Sequence, residues 1–231
     1  MQRAYLIPAY QARSTLQQVL RDLGACDPEG ARLVVDDGST DGTGDVAREL
    51  GVDVVTHAGN RGKGVALRTG FAWLAERGFV SAVSVDADGQ HRASDAVMLA
   101  KHSAPDDAIV LGVRDLERDG APKPSRLSNR FSNRWVSRFS GRQLSDTQCG
   151  LRRYPLPLTL ELGAGGRGYD FESEILVRAA RRGVSIVEVP VRVIYPPRAE
   201  RISHFHVVRD PARILVRLVH TALTVPRAKT P

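Results

Sequence analysis

Cysteine is scarce in this 231-residue chain: only Cys26 and Cys149 occur, far apart and with no CxxC pair. That excludes a disulfide framework and points to a reducing cytosol. Long apolar runs are also missing. No stretch approaches the 18 uncharged apolar residues of a membrane-crossing helix, so any membrane contact is expected to be peripheral, at the cytoplasmic face. The opening MQRAYLIPAYQ holds too short an apolar run for a secretory leader. No GxGxxG follows the first apolar run and no GxxxxGK[ST] occurs anywhere, which argues against a nicotinamide Rossmann domain and a P-loop NTPase. Recognised nucleic-acid-binding motifs are absent as well, so the net charge of +7 is not read as a sign of a nucleic-acid partner.

Apolar residues make up 42% and charged residues 26%, enough apolar mass for a core in a single domain spanning 1–231. The charge is unevenly spread. Residues 1–113 carry 11 Lys and Arg against 15 Asp and Glu, a balance of −4; residues 114–231 carry 22 against 11, a balance of +11. Of the 33 basic residues 29 are Arg, whose planar fork suits phosphate and headgroup recognition.

Short apolar runs alternate with helical patterns through the first half. Strands are expected at Ala4–Ile7 (stopped by Pro8), Leu33–Val35, Val52–Val55, Ala82–Val85 and Ala108–Val113. Helices are expected over Ser14–Leu23, from Thr40 or Asp41 to Leu50, over Gly64–Arg77, and from Ser94 to about His102, with Ser14 and Ser94 as N-caps. This alternation predicts an α/β fold with a mostly parallel sheet, in which ligands bind beyond the carboxyl ends of the strands. Asp36, Asp37, Asp86, Asp88 and Arg114 all stand just after such strands.

The second half reads less regularly. A helix over 125–141 carries Arg126, Arg130, Arg134, Arg138 and Arg142 every four residues, beside Leu127, Phe131, Trp135 and Phe139. That pattern describes an interfacial helix on an anionic bilayer, or an ordinary amphipathic helix with a solvated basic face. Helices are also expected over 169–182 and 207–224, and a strand over 184–195.

Asp86-Ala87-Asp88-Gly89-Gln90 carries the sharpest chemistry. Two carboxylates one residue apart at a strand end are hard oxygen ligands for Mg²⁺ or Mn²⁺, with Gln90 as a neutral oxygen donor. It is not an EF-hand loop, since His91 replaces the required Gly and Val97 the bidentate Glu. Gly62-Lys63-Gly64 at a helix start places a Lys where a phosphate could meet helix N-terminal amides.

Ile7-Pro8-Ala9-Tyr10, VVDDGSTD (34–41), NRGKG (60–64) and DADGQ (86–90), in this order, resemble the family 2 glycosyltransferases of GT-A fold. The later segments Ser125–Arg130, Asp146–Gly150, Tyr169–Glu174 and Arg201–Phe205 are similar to the polyprenyl-phosphate sugar transferases, the dolichol-phosphate mannose synthase branch. The resemblance covers roughly residues 4–215. It implies that Pro8, Tyr10, Asp36, Asp37, Lys63 and Asp86 line the nucleotide-sugar pocket and that Asp86, Asp88 and Gln90 hold the divalent metal. Arg114, Arg126, Arg201 and Ser203 would surround the acceptor phosphate, with Asp88, Arg114, Asp146 and Gln148 near the reacting centre. The donor implied is GDP-mannose or UDP-glucose. The sequence departs from the family at Gln11-Ala12, where an acidic residue often follows Tyr, and at His204 and His206, where a Lys is common.

The acceptor separates two chemistries. A lipid monophosphate is largely ionised near neutral pH, with a second pKa of roughly 6, and needs cations rather than a general base. A hydroxyl acceptor needs a base, for which Asp146, Glu172 and Glu174 are candidates. The Arg-rich second half favours the phosphate. A sugar nucleotidyltransferase of similar fold would need a Gly-rich loop near the N-terminus, and residues 1–20 hold no Gly.

Overall fold

The computed structural model describes residues 2–195 and 209–227. Its elements, in chain order, are β1 (Ala4–Ala9), α1 (Arg13–Cys26), β2 (Ala31–Asp36), α2 (Thr43–Glu49), β3 (Asp53–Thr56), α3 (Lys63–Glu76), β4 (Ser81–Ser84), α4 (Ala93–Ala100) and β5 (Ile109–Arg114). There follow α5 (Lys123–Ser140), β6 (Arg152–Pro155), α6 (Leu156–Glu161), α7 (Asp170–Arg181), β7 (Ile186–Val191) and α8 (Arg209–Thr224). The seven strands form one sheet in the order β3-β2-β1-β4-β6-β5-β7. Only β6 runs antiparallel, to both β4 and β5. The sheet therefore draws strands from both the acidic and the basic part of the chain, and its apolar residues, such as Leu6, Ile7, Leu33, Val34 and Leu111, are fully buried between flanking helices.

Pro8 does not end β1, as the sequence led us to expect. The strand runs on to Ala9 and pairs with β2 over its whole length, whereas β4 borders only Tyr5 and Leu6. Pro8 faces the β4 side beyond the last β4 pair, so its missing N–H leaves no ladder bond unmade. The caps also differ. Ser14 and Ser94 lie inside their helices, and the N-cap positions are Ala12 and Arg92, neither with a side-chain cap. Asp41 supplies capping from a distance: its carboxylate accepts the Arg13 N–H of α1 and the Thr43 N–H of α2, at 3.1 and 3.0 Å. One side chain thus satisfies orphan donors of two helices.

β6 carries two arginines into the middle of the sheet. Arg152 is fully buried and donates to the carbonyls of Cys149 (2.7 Å), Thr147 (2.8 Å) and Glu172 (2.7 Å). It ties the 147–150 loop to α7, and both of these border the crevice above the strand ends.

Candidate active site

A cavity of about 550 Å³ opens at the carboxyl ends of β1, β4 and β5. Pro8, Tyr10, Asp37, Lys63, Asp86, Asp88, Gln90, Arg114, Gln148 and Glu172, all singled out from the sequence, line it and converge there. Asp36, Asp146 and Arg126 do not. Asp36 is buried and turns back to accept the Ser39 N–H at 2.9 Å, shaping the DDGST turn. Asp146 lies behind Arg114. Arg126 lines an adjoining cavity of about 490 Å³, which shares Arg114 and Leu116 with the first. Arg201 and Ser203, with His204 and His206, lie outside the described residues.

Asp37 borders the cavity, yet its oxygens are engaged by protein. It accepts the Arg61 and Gly62 N–H groups at 3.0 and 2.7 Å and meets His57 Nδ1 at 2.6 Å, while His57 Nε2 meets Thr69 Oγ1. The residue following β2 therefore fixes the loop that opens α3. Gly62 in that loop has φ +98°, and a Cβ there would fall 2.3 Å from the Arg167 carbonyl oxygen. Only glycine fits so close a backbone approach. This staple sets Lys63 at the first turn of α3.

Lys63 Nζ lies 2.6 Å from Asp86 Oδ1 and 3.0 Å from Glu172 Oε1. Burial opposes its charge, but the two carboxylates hold its pKa above that of an ordinary lysine. Burial likewise works to raise the Asp86 carboxyl, and Lys63 overcomes this, holding it below the usual carboxylate range. Among the described residues, Asp88 has no such partner. Burial and the neighbouring Asp86 charge push its carboxyl up to about 6, although it accepts the Gln90 N–H at 3.0 Å. Gly150 closes under the pair, where a Cβ would fall 2.2 Å from Asp86 Oδ2.

Arg114 ends β5 and presents the cavity with a fixed cation. Its Nε and Nη2 donate to the two Asp146 oxygens at 2.7 and 2.9 Å, and its backbone N–H adds a third bond at 3.1 Å. Asn129 of α5 donates to the same carboxylate. Asp146 is 1% exposed. Burial favours its neutral form, but Arg114 holds it below the usual carboxylate range. Its role here is to aim the guanidinium. Glu174 is similarly engaged, accepting the Gly165 and Gly166 N–H groups and Arg178 Nε. With Glu172 held by Lys63, each of the three carboxylates expected as a general base already serves a protein donor.

The helices of the second half show an unusual orientation. The face α5 buries is Asn129, Ser132, Val136 and Ser140, while Leu127 is 67% exposed and Phe131 is also exposed. Trp135 and Phe139 stack at 5.8 Å between centroids and are half-buried. Arg130, Arg134 and Arg138 are exposed beside them. On α8, Val216 and Leu223 are 71% and 82% exposed. Among the described residues, no helix is long and apolar enough to cross a membrane.

A mostly parallel sheet with acidic strand ends around a crevice, crossed by one antiparallel strand, is the GT-A arrangement of nucleotide-sugar enzymes. Solved structures agree on the fold. The glucosyl-3-phosphoglycerate synthase of Mycobacterium tuberculosis in complex with UDP matches with a TM-score of 0.71 at 16% identity, covering 100% of this chain and 87% of that one. The sequence model for glycosyl transferase family 2 matches residues 5–155, and the chain belongs to that family of glycosyltransferases. The undecaprenyl-phosphate mannosyltransferase of Micrococcus luteus is 32% identical over 200 residues, 82% of each chain. The polyprenol monophosphomannose synthase of Mycolicibacterium smegmatis is 30% identical over 198 residues, 80% of this chain and 75% of that one. Glycosyltransferase AglJ of Haloferax volcanii is 29% identical over 223 residues, 95% of this chain and 71% of that one.

Of the residues that matter here, His57 carries no sequence signal of its own and acts by contacting Asp37 and Thr69. Asn129 and Gly150 lie within segments that carry the resemblance, but their contacts with Asp146 and beside Asp86 emerge only in the fold.

Proposed function

We propose that this enzyme is a metal-dependent, inverting hexosyltransferase that moves a hexose from a nucleotide-sugar, GDP-mannose or UDP-glucose, to a polyprenyl phosphate. It would work as one unit peripheral to the cytoplasmic face of a membrane, with residues 1–113 serving the donor and 114–231 the acceptor. The observation that carries the acceptor class is the pairing of a fixed Arg114 with an absence of disengaged base candidates at Asp146, Glu172 and Glu174. An ionised phosphate acceptor needs the first and does without the second. The relatives named for undecaprenyl-phosphate and polyprenol substrates support this reading.

The donor set fits Mg²⁺ or Mn²⁺. Asp86, Asp88 and Gln90 offer hard oxygen ligands, and the crowded Asp88 carboxyl marks a pair short of positive charge. Among the described residues, no group of three or more His, Cys, Asp or Glu is placed to hold a metal ion, so Asp86, Asp88 and Gln90 would hold it with substrate phosphates completing its shell. Such an ion, when bound, supplies charge neutralisation to the departing diphosphate. Lys63 faces the same diphosphate and adds to that neutralisation. Arg114, aimed by Asp146, orients the acceptor phosphate so that its oxygen attacks the anomeric carbon as the bond to the diphosphate breaks. Attack from the face opposite the leaving group inverts the centre. No proton has to be removed from the nucleophile.

A panel of sugar nucleotides with Mg²⁺ or Mn²⁺ and polyprenyl phosphate, read by thermal shift and then by product mass, is expected to yield one glycosylated lipid phosphate. Failure of every donor would overturn the assignment. The α5 surface makes a second prediction. Vesicles containing anionic lipid should sediment the protein, and replacing Arg130, Arg134 and Arg138 with Ala should weaken partitioning on the order of a hundredfold, at about 1 kcal/mol per arginine. Unchanged sedimentation would remove α5 from the membrane surface.

A further inference from the structure

Lys63 occupies an ambiguous position: one of its two anionic partners is a proposed metal ligand and the other is not. Asp86 follows β4, Glu172 projects from the first turn of α7, and the ammonium bridges them across the crevice at 2.6 and 3.0 Å. The Tyr169 ring lies 5.7 Å from the ammonium. The lysine side chain is 17% exposed, so its charge is largely withdrawn from water. A divalent cation taking Asp86 would meet the ammonium on the same carboxylate, and two positive centres so close repel strongly in a partly buried site. Glu172 resolves the conflict, because Lys63 can release Asp86 and still keep a buried counter-charge.

We infer that Lys63 is the resident counter-ion of the metal site, exchanged off Asp86 when a divalent metal and the donor diphosphate bind together, with Glu172 the positioning residue that retains it. The inference rests on the reading of Asp86 and Asp88 as metal ligands. The exchange swaps ion pairs and breaks no covalent bond. Before it, the ammonium half-neutralises the carboxylate pair and competes with the metal. After it, the same ammonium turns to the diphosphate. Metal and diphosphate therefore strengthen each other's binding, and by linkage they do so equally in both directions.

The test is Mn²⁺ binding to the whole protein, followed through the paramagnetic resonance signal of free Mn²⁺, with and without UDP or GDP. Wild type is expected to bind Mn²⁺ weakly alone and more tightly with nucleotide, after allowance for Mn²⁺–nucleotide association in solution. Lys63→Met removes the competitor, so Mn²⁺ alone should bind on the order of tenfold tighter, with less added by the nucleotide. Glu172→Gln leaves Lys63 with Asp86 alone, so Mn²⁺ should bind more weakly. A double variant separates this from simple loss of negative charge, because Glu172→Gln should have little effect once Lys63 is Met. Thermal melts check folding, and Lys63→Gln serves in place of a poorly folded Met variant. Unchanged or weaker Mn²⁺ binding in the Lys63 variants, or an equal Glu172→Gln effect in both backgrounds, would overturn the exchange. A wild type that binds no Mn²⁺ with or without nucleotide would instead overturn the metal reading beneath it.

Discussion

Asp88→Ala is expected to lower sugar transfer on the order of a thousandfold while leaving the metal-free protein as stable as wild type, or more so. The two halves of this expectation share a cause. Asp88 sits partly buried beside the Asp86 charge, and its carboxyl is pushed up to about 6. A carboxyl raised in the folded state favours the protonated form there. Its contribution to stability therefore declines as pH rises from the unfolded value, about 3.9, through about 6, each tenfold difference in proton affinity being worth about 1.4 kcal/mol. Removing the side chain relieves that cost at neutral pH and removes a proposed metal ligand at the same time. Melting curves in chelator at pH 5 and pH 7.5, set beside product formation, check both halves. Retained transfer would sink the metal assignment. Lost transfer with a large fall in melting temperature would make Asp88 a structural residue.

The second large effect concerns Arg114 and Asp146. Arg114→Lys should reduce turnover on polyprenyl phosphate on the order of a hundredfold and raise the acceptor KM, because an ammonium cannot reproduce the two-point grip on Asp146. Donor binding, read as nucleoside diphosphate affinity in the presence of metal, should hardly change. Asp146→Asn keeps the shape and removes the charge, leaving Arg114 largely buried without its counter-ion. A stability loss of about 3–5 kcal/mol is expected, together with the acceptor defect. The sign of the pH dependence follows from the depressed Asp146 pKa: the pair stabilises the fold at neutral pH and is lost on acidification through the folded pKa. Urea titrations at pH 7 and at about pH 2, below the ordinary carboxylate value, should show wild type losing more of its stability than Asp146→Asn does. A donor affinity that collapses in Arg114→Lys would contradict the division between donor and acceptor groups.

β1 to β5 are legible because short apolar runs alternate with helical patterns through the first half, and the DADGQ turn because two carboxylates follow the β4 run directly. β6 was not legible. Arg152 and Arg153 look like solvent residues, and only carbonyls brought up from the 147–150 loop and α7 make a central position tolerable for Arg152. Asp36 and Asp37 were placed at a strand end correctly, but which of the two reaches the cavity depends on the turn after β2. The α5 pattern is read either as an interfacial helix on an anionic bilayer or as an amphipathic helix packed on the core with a solvated basic face. Its inward face is decided by Asn129 meeting Asp146 and Ser132 meeting Thr147, contacts that no helical periodicity reports. Ser14 misled because Asp41 caps α1 from another loop, whereas α4 starts before Ser94, at an Arg92 N-cap with no side-chain cap.

The acceptor is the centre of this account, and one comparison tests it most directly. Purified enzyme with metal and its preferred sugar nucleotide is offered a polyprenyl phosphate or the polyprenol of the same chain length in the same vesicles, and the product lipid is weighed by mass spectrometry. Hexose added to the phosphate, with the free alcohol left unmodified, is the predicted result. Equal or preferential transfer to the alcohol would contradict it, since a hydroxyl nucleophile demands a base that Asp146, Glu172 and Glu174 are not free to supply.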